Sequence, residues 1–225
     1  MHLKPGAALL FDIDGTLVES DPLHLRAFND TFAPWGHKFD RERFGRELQG
    51  FANEAIAERF LPSETMDRRR DVMMGKEARF RELAATGIEP VHGLFDLLDW
   101  ADENGVRMVA VTNAPRPNAD LLLDAIGVRS RFRHVVIGDE LAHGKPHPLP
   151  YLEGLRLLGA EAANSVAFED SRTGIASAIA AGIATVGMAT GLTPAQLVDA
   201  GAVIGVRDYR DAGVLELIRS RLFAD

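Results

Sequence analysis

Short apolar runs along the chain predict a buried parallel β-sheet. Several of these runs are continuous rather than alternating, as in Met108-Val109-Ala110-Val111, and a continuous run is typical of a strand that is covered on both faces. The predicted strands span residues 7–11, 107–111, 134–137, 165–168, 184–188 and 202–206.

Helical patterns separate these strands in the second half of the chain. In the segment 94–103, Leu94, Leu97 and Ala101 recur at the spacing of one helix face. Further helices are predicted at 118–126, 148–158 and 172–181. The alternation of strands and helices predicts an α/β fold, with a core that is a Rossmann-like, doubly wound, mainly parallel sheet.

The segment between residues 20 and 89 breaks this alternation, because its pattern is helical throughout. Helices are predicted at 23–32, 40–48, 52–60 and 63–85. About 70 residues is far longer than an ordinary connection between a strand and a helix. We therefore expect an inserted α-helical cap domain at 19–89 and a core domain formed by 1–18 and 90–225. Hinges are expected near 18–20 and 87–92.

Composition and charge narrow the range of functions. Hydrophobic residues make up 46% of the chain and charged residues 26%, which is ordinary for a globular protein. The net charge of −8 provides no general attraction to nucleic acid or anionic membranes, so we expect neither as a partner. The absence of cysteine excludes disulfides and thiolate chemistry. It suits a reducing compartment, and with no signal-like segment at the start we expect a cytoplasmic protein.

Polar side chains follow four of the predicted strands, at the point where each strand or its following loop ends. They are Asp12 and Asp14, Thr112 and Asn113, Lys145, and Glu169 and Asp170. In an open parallel sheet the carboxyl ends of the strands share one edge, where ligands bind. Four carboxylates, a hydroxyl, an amide and an ammonium group at one edge suit phosphoryl transfer, with oxygen ligands for Mg²⁺.

The residues at the strand ends also admit other interpretations. Asp12 and Asp14 also fit a polar turn, but the later strand ends favour a shared catalytic site. A calcium-binding EF-hand loop is excluded, because Leu23 stands where the loop needs Glu. A nucleotide-binding P-loop is disfavoured, because Lys145 is followed by Pro146 instead of Ser or Thr.

In this order, the motifs resemble those of the haloacid dehalogenase-like (HAD) hydrolase superfamily. Asp12-Ile13-Asp14-Gly15-Thr16 is similar to its first motif, Thr112-Asn113 to its second, Lys145 to its third and Glu169-Asp170-Ser171 to its fourth. The resemblance covers nearly the whole chain. The helical insertion resembles the cap of the branch that includes β-phosphoglucomutase and many sugar-phosphate phosphatases.

The resemblance implies a role for each motif residue. Asp12 is expected to be the nucleophile, and Asp14 the general acid for the leaving oxygen and then the general base for water. Thr112, the Asn113 backbone and Lys145 are expected to hold the transferred phosphoryl group. An Asp at position 14 favours oxygen leaving groups, because a dehalogenase needs no proton donor there.

The same resemblance implies a Mg²⁺ site. Its expected ligands are Asp12, the backbone carbonyl of Asp14, and Asp170, with Glu169 binding directly or through water.

Three cap residues are expected near the substrate. His24 matches a histidine near the acid–base Asp, although a structural role in the first cap helix is the alternative. Lys76 matches a substrate-contacting lysine, although a solvated lysine is the alternative. Asn53 stands where the mutase carries an arginine for a second phosphate, and an amide cannot replace a guanidinium. The basic run 68–70 compensates only if it faces the cleft.

The sequence therefore predicts a Mg²⁺-dependent phosphatase for a small phosphorylated metabolite, such as a sugar or polyol phosphate. The first alternative is a phosphomutase of β-phosphoglucomutase type, and the second is a non-catalytic binding protein on the same fold. A monomer is expected.

Overall fold

The computed structural model describes residues 2–224 and contains a six-stranded parallel sheet. The strands are β1 (His2–Leu3), β2 (Ala8–Phe11), β3 (Arg107–Thr112), β4 (His134–Ile137), β5 (Ser165–Glu169), β6 (Ala184–Met188), β7 (Ile204–Val206) and β8 (Phe223–Ala224). Strands β2 to β7 form the parallel sheet in the order β4-β3-β2-β5-β6-β7, and β1 pairs with β8 in a separate antiparallel ladder. Strand β2 therefore lies inside the sheet, between β3 and β5.

Helices cover both faces of this sheet. The helices are α1 (Asp21–Phe32), α2 (Arg41–Glu47), α3 (Asn53–Phe60), α4 (Met66–Ala84), α5 (Leu94–Glu103), α6 (Arg116–Ala125), α7 (Leu149–Leu158), α8 (Arg172–Ala180), α9 (Pro194–Asp199) and α10 (Ala212–Leu222). Leu9 and Phe11 pack in one cluster with α5, α6 and α10, whereas Ala8 and Leu10 pack in another with α7 and α8. Burial on both faces explains the continuous apolar strands. The predicted doubly wound α/β fold is confirmed.

The segment between β2 and β3 carries a hydrophobic cluster of its own. All fully buried members of this cluster lie between Phe28 and Met73, within α1 to α4 and their connections. Phe39 meets Phe60 edge to face with ring centroids 5.2 Å apart, a geometry that stabilises by about 0.5–1.5 kcal/mol beyond area burial. This helical segment, called the cap below, faces the carboxyl edge of the sheet across a cavity of about 110 Å³.

The two connections between cap and sheet run side by side. The Glu19 amide donates to the carbonyl of Glu89 at 3.0 Å, and Val18 forms an antiparallel bridge with Pro90. Val18 also bridges to Asp14, so both connections lie beside the loop that carries the candidate acid–base residue. The location of the hinges in these connections stays a prediction.

The structure adds elements that the apolar pattern did not predict, namely the β1–β8 ladder and helices α9 and α10. The predicted strand at 202–206 begins later, at Ile204, because the Ala202 amide donates to the Leu197 carbonyl at the end of α9. Within residues 2–224, none of the helices combines the length and apolar character that crossing a membrane requires.

Candidate active site

Five side chains that the sequence assigns to strand ends and the following loops meet at the carboxyl edge of the sheet. They are Asp12, Thr112, Lys145, Glu169 and Asp170, and all are buried. The Asp12 amide donates to the carbonyl of Phe168 at 3.0 Å, which continues the pairing of β2 with β5 beyond the end of β2. The parallel register thus brings residues that are distant in sequence into one group.

A tight turn after Asp14 packs against Asp170. Gly15 in this turn has a φ of 71°, a left-handed conformation that glycine adopts without steric cost. A Cβ atom at Gly15 would lie 2.2 Å from Oδ2 of Asp170. Glycine is therefore needed at this position both for the backbone conformation and for the close approach of the two loops.

Lys145 uses all three of its ammonium hydrogens within the site. Its Nζ donates to Oδ1 of Asp12 at 2.6 Å, to Oε1 of Glu169 at 2.6 Å and to the carbonyl of Val111 at 2.7 Å. Burial alone would lower the pKa of Lys145, but the two carboxylates together raise it above its ordinary value. The lysine is therefore a fixed positive charge at the centre of the group.

The carboxylates of the site form a buried group with room for a cation. Asp12, Glu169 and Asp170 each offer an oxygen, and these oxygens lie within 4.8 Å of one another. Burial raises the pKa of Asp12 to about 8, even though Lys145 opposes the shift. Burial and the neighbouring carboxylates raise the pKa of Asp170 well above its ordinary value. Crowded carboxylates of this kind favour a bound cation, and an all-oxygen donor set fits Mg²⁺.

The Glu169 carboxylate is held in one orientation by its neighbours. Tyr151 on α7 donates its hydroxyl to Oε1 at 2.7 Å, and Ser171 donates to Oε2 at 3.3 Å. Gly174 in the first turn of α8 leaves the necessary space, because a Cβ atom there would lie 1.9 Å from Oε2. The sequence did not single out Tyr151, since its role depends on the packing of α7 beneath the sheet edge.

Thr112 and Asn113 play different structural parts. Thr112 lines the cavity, and its hydroxyl oxygen accepts from the Ala114 amide at 2.9 Å, which leaves the hydroxyl hydrogen for a ligand. The Asn113 side chain instead accepts from the Lys145 amide at 2.9 Å and donates to the Lys145 carbonyl at 3.1 Å. Asn113 therefore ties the end of β3 to the loop that carries Lys145.

Asp14 points to the cap side of the site. Its Oδ1 accepts from the Ser20 hydroxyl at 2.7 Å and from Nε2 of His24 at 2.9 Å. Burial alone would raise the pKa of Asp14, but His24, the Ser20 hydrogen bond and Lys76 together lower it below its ordinary value. The Asp14 side chain lies outside the group of three carboxylates, and its predicted contribution to a metal site is its backbone carbonyl.

The cap presents His24 in a defined tautomer. Nδ1 of His24 lies 3.0 Å from Nζ of Lys76. An ammonium group can only donate, so Nδ1 accepts and the hydrogen on Nε2 points at Asp14. The imidazole also stacks on Phe80, with ring centroids 3.7 Å apart. His24 therefore lies in the cavity and contacts the candidate acid–base residue.

Lys76 and Asn53 meet at a buried glutamate. Lys76 is only 3% exposed and lines the cavity, in contrast to the solvated alternative. Its Nζ donates to Oε1 of Glu77 at 3.0 Å, and the Asn53 amide donates to the same oxygen at 2.8 Å. The basic run 68–70 does not line the cavity, since Arg69 donates to the carbonyls of the preceding loop.

Several cavity residues were not predicted from the sequence. Gln49 donates from Nε2 to Oδ2 of Asp170 at 2.7 Å and to Oδ2 of Asp21 at 3.0 Å. Glu77 on the cap and Asn118 on the core meet at 2.6 Å. A local signal existed for Gln49, because the following Gly50 marks a close approach of the cap to the core. Glu77 and Asn118 carry no such signal.

The class of protein follows from a comparison with known families. A family model described as haloacid dehalogenase-like hydrolase matches residues 7–182. This match covers most of the chain and includes all four strand-end motifs. The chain therefore belongs to the haloacid dehalogenase-like hydrolase family of enzymes, and the family predicted from the motifs is confirmed.

Individual relatives share most of the length of the chain. Protein CbbY of Rhodobacter capsulatus is 37% identical over 206 residues, which is 87% of this chain and 87% of CbbY. A phosphoglycolate phosphatase of Rhodospirillum rubrum is 31% identical over 216 residues, which is 92% of this chain and 89% of that protein. The crystal structure of a CbbY variant from Rhodobacter sphaeroides with xylulose-(1,5)bisphosphate has a TM-score of 0.78 and 32% identity, over 92% of this chain and 96% of CbbY.

Proposed function

We propose that this protein is a Mg²⁺-dependent phosphatase that hydrolyses a small phosphomonoester through an aspartyl-phosphate on Asp12. The observation that carries the proposal is the pairing of two aspartates with opposite surroundings. Asp12 lies against Lys145 beside Glu169 and Asp170, whereas Asp14 lies against His24. One aspartate is thus suited to bind and attack a phosphoryl group, and the other to exchange a proton with the ester oxygen.

The first chemical step forms a bond between an Asp12 oxygen and phosphorus and breaks the bond between phosphorus and the ester oxygen. Asp14 gives its proton to that leaving oxygen. Although His24 holds the pKa of Asp14 low in the free site, a phosphate dianion entering beside it disfavours the charged form and raises that pKa. The Thr112 hydroxyl donates to a phosphoryl oxygen, and the fixed positive charge of Lys145, which lies beside Asp12, attracts the phosphoryl group.

The second step removes the phosphoryl group from Asp12. Asp14, now ionised, takes a proton from a water molecule that attacks phosphorus, and the bond between phosphorus and Asp12 breaks. The cap excludes other water from the cavity.

The group of Asp12, Glu169 and Asp170, with the carbonyl of Asp14, would hold Mg²⁺. When bound, the ion would neutralise part of the negative charge of the phosphate and of these carboxylates.

We further propose that the substrate is a monophosphate with an uncharged remainder, such as a sugar or polyol phosphate. Two lysines line the cavity: Lys145 lies beside Asp12, where it serves the transferred phosphoryl group, and Lys76 is paired with Glu77. Asn53 offers an amide to a second phosphate, and the run 68–70 lies away from the cavity. A second anionic group on the substrate would therefore find no free cation among the cavity-lining residues 12–171.

The test is phosphate release from a panel of esters with and without Mg²⁺. The panel contains sugar and polyol monophosphates, a sugar bisphosphate and phosphoglycolate. We expect phosphate release to depend on Mg²⁺. We also expect kcat/KM for the best monophosphate to be at least about tenfold above that for either doubly anionic ester, because the lack of one ion pair worth about 1.4 kcal/mol lowers kcat/KM tenfold.

Three outcomes of this panel would contradict the proposal. Release that does not need Mg²⁺ would contradict the metal dependence. Isomer formation that requires a bisphosphate activator, without net phosphate release, would identify a phosphomutase. Saturable binding of phosphate without any turnover would identify a binding protein.

A further inference from the structure

A buried polar contact joins the cap to the core at one asparagine. Asn118 on α6 of the core is fully buried. Its Nδ2 donates to Oε2 of Glu77 at 2.6 Å, and its Oδ1 accepts from the Arg81 guanidinium at 2.8 Å. Glu77 and Arg81 lie one turn apart on the cap helix α4, so one core side chain engages two cap side chains.

This contact continues without a break to the candidate acid–base residue. Oε1 of Glu77 accepts from Lys76 at 3.0 Å, and Lys76 donates to Nδ1 of His24 at 3.0 Å. His24 then donates from Nε2 to Asp14 at 2.9 Å. The chain of hydrogen bonds therefore runs from the core helix α6 through the cap to Asp14.

In this network of hydrogen bonds, the donor and the acceptor of each bond follow from groups that can only donate or only accept. Arg81 can only donate, which makes Oδ1 of Asn118 the acceptor and Nδ2 the donor. Glu77 in its ionised form can only accept, and its pKa is held below the ordinary value because Lys76, His24 and Asn53 together outweigh its burial. Lys76 can only donate, which fixes the His24 tautomer. No member can reverse without leaving a buried group unpaired.

From this geometry we infer that Glu77 and Asn118 are positioning residues that make the orientation of Asp14 depend on contact between cap and core. The inference rests on the proposed function, because it assigns a purpose to the proton on Asp14. When the cap rests on α6, hydrogen bonds from Asn118 and Lys76 fix the Glu77 carboxylate. Lys76 in turn fixes the tautomer of His24 in which the Nε2 hydrogen faces Asp14. When the cap leaves α6, the first of these bonds is broken.

Stability alone does not account for this contact. A buried network of charges loses much of its electrostatic gain to desolvation, and well-packed apolar side chains of similar volume often stabilise a protein equally well. The network instead ends on the one carboxylate that must deliver a proton during the reaction. Its arrangement therefore couples chemistry to the closed position of the cap.

Exchanging the two side chains tests the inference. In E77Q/N118D, the Gln carbonyl can still accept from Lys76 and Asn53, its amide can donate to the new Asp, and Arg81 can donate to that Asp. The N118D single variant instead sets two carboxylates against each other. In the E77Q single variant the Gln amide nitrogen faces either the Asn118 amide or the Lys76 ammonium, so one contact of the network is lost in either orientation. The exposed Glu82 on the same helix provides E82Q as the matched control.

The readout is kcat/KM for two esters that differ in their need for a proton. An alkyl phosphate from the panel needs its leaving oxygen protonated, whereas 4-nitrophenyl phosphate has a leaving group that is stable without a proton. Because general acid catalysis contributes roughly 10²–10⁴-fold, we expect N118D to lose about 100-fold on the alkyl phosphate and under about fivefold on the nitrophenyl ester. E77Q should lose less activity than N118D, again with a larger loss on the alkyl phosphate than on the nitrophenyl ester. The double variant should recover most of the lost activity, and E82Q should match wild type.

Equal losses on both esters in the single variants would overturn the inference, since a general structural defect affects both reactions alike. Unchanged kinetics in both single variants, or a double variant that does not recover, would also overturn it. Because E77Q is the mildest change, it decides the question if N118D does not fold. A wild-type protein that hydrolyses neither ester would overturn the proposed function itself, and this inference with it.

Discussion

At the scale of single residues, Tyr151 shows how a group outside the cavity shapes the site. Its hydroxyl donates to Oε1 of Glu169 at 2.7 Å, the same oxygen that accepts from Lys145. Both donors therefore bind the same carboxylate oxygen, Oε1. Within residues 2–224, Oε2 accepts only one longer hydrogen bond, from Ser171 at 3.3 Å. Oε2 is thus the oxygen with more capacity for a further ligand. In the proposed metal site, Tyr151 would orient Glu169 in the way that outer neighbours orient metal-binding carboxylates.

Replacement of Tyr151 by Phe should weaken Mg²⁺ binding by about tenfold, because outer neighbours of metal ligands are worth that much or more. The free energy of unfolding should also fall by about 1–3 kcal/mol, since a buried hydrogen bond to a charged group is lost. Mg²⁺ affinity is measured by calorimetric titration of the purified variant, and stability by urea denaturation.

The control is Tyr209→Phe, which removes a buried hydroxyl that donates to the Thr16 carbonyl at 2.9 Å and, within residues 2–224, to no carboxylate. This control should lose stability but keep its Mg²⁺ affinity. Equal Mg²⁺ affinities for wild type and Tyr151→Phe would contradict the role of Tyr151.

At the scale of elements, the loop after α2 joins the cap to the core beside the carboxylates. Gly50 in this loop has a φ of 76°, and its carbonyl accepts from the Thr173 hydroxyl at 2.8 Å. A Cβ atom at Gly50 would lie 2.3 Å from Oγ1 of Thr173 and 2.9 Å from Cβ of Ser171. The neighbouring Gln49 reaches Asp170 only because the loop approaches α8 so closely.

Replacement of Gly50 by Ala should therefore displace the loop and withdraw Gln49 from Asp170. We expect a fall in kcat/KM of about tenfold, the factor for each 1.4 kcal/mol of lost transition-state stabilisation. Left-handed strain should also lower the free energy of unfolding by about 1 kcal/mol. Steady-state kinetics and urea denaturation measure the two effects.

Gly36 offers a matched control within the cap. Its φ is 75°, and a Cβ atom there would meet no atom within 4 Å. Gly36→Ala should show the loss of stability without the loss of activity. If both variants lose activity to the same extent, the close approach at Gly50 is not the cause.

At the scale of the whole molecule, the sequence predicted the sheet well because its strands are covered on both faces. A continuous apolar run such as residues 108–111 is visible without any tertiary information. The β1–β8 ladder was not visible, because each strand has two residues and its partner lies at the far end of the chain. The start of β7 at Ile204 depends on a hydrogen bond from Ala202 to α9, which periodicity does not reveal.

The site likewise contains residues that the sequence predicted and residues that it did not. Asp12 and Glu169 lie at the ends of the neighbouring strands β2 and β5, so the parallel order of the sheet brings them together. Lys145 joins them from the loop after β4, which the Asn113 side chain holds in place. Glu77 and Asn118 lie in the middle of helices, and their meeting depends on how the cap packs on α6. Contacts between two separately packed units carry no local pattern, and for that reason the sequence did not predict this part of the site.

The proposed mechanism requires Asp12 to carry the phosphoryl group during turnover. The direct measurement is mass spectrometry of enzyme mixed with its best ester and Mg²⁺, quenched in acid within one turnover and digested. We expect one added phosphoryl group on the peptide that contains Asp12, and none in Asp12→Asn, which should also release no phosphate. A phosphoryl group on another residue, or turnover by Asp12→Asn close to that of wild type, would contradict it.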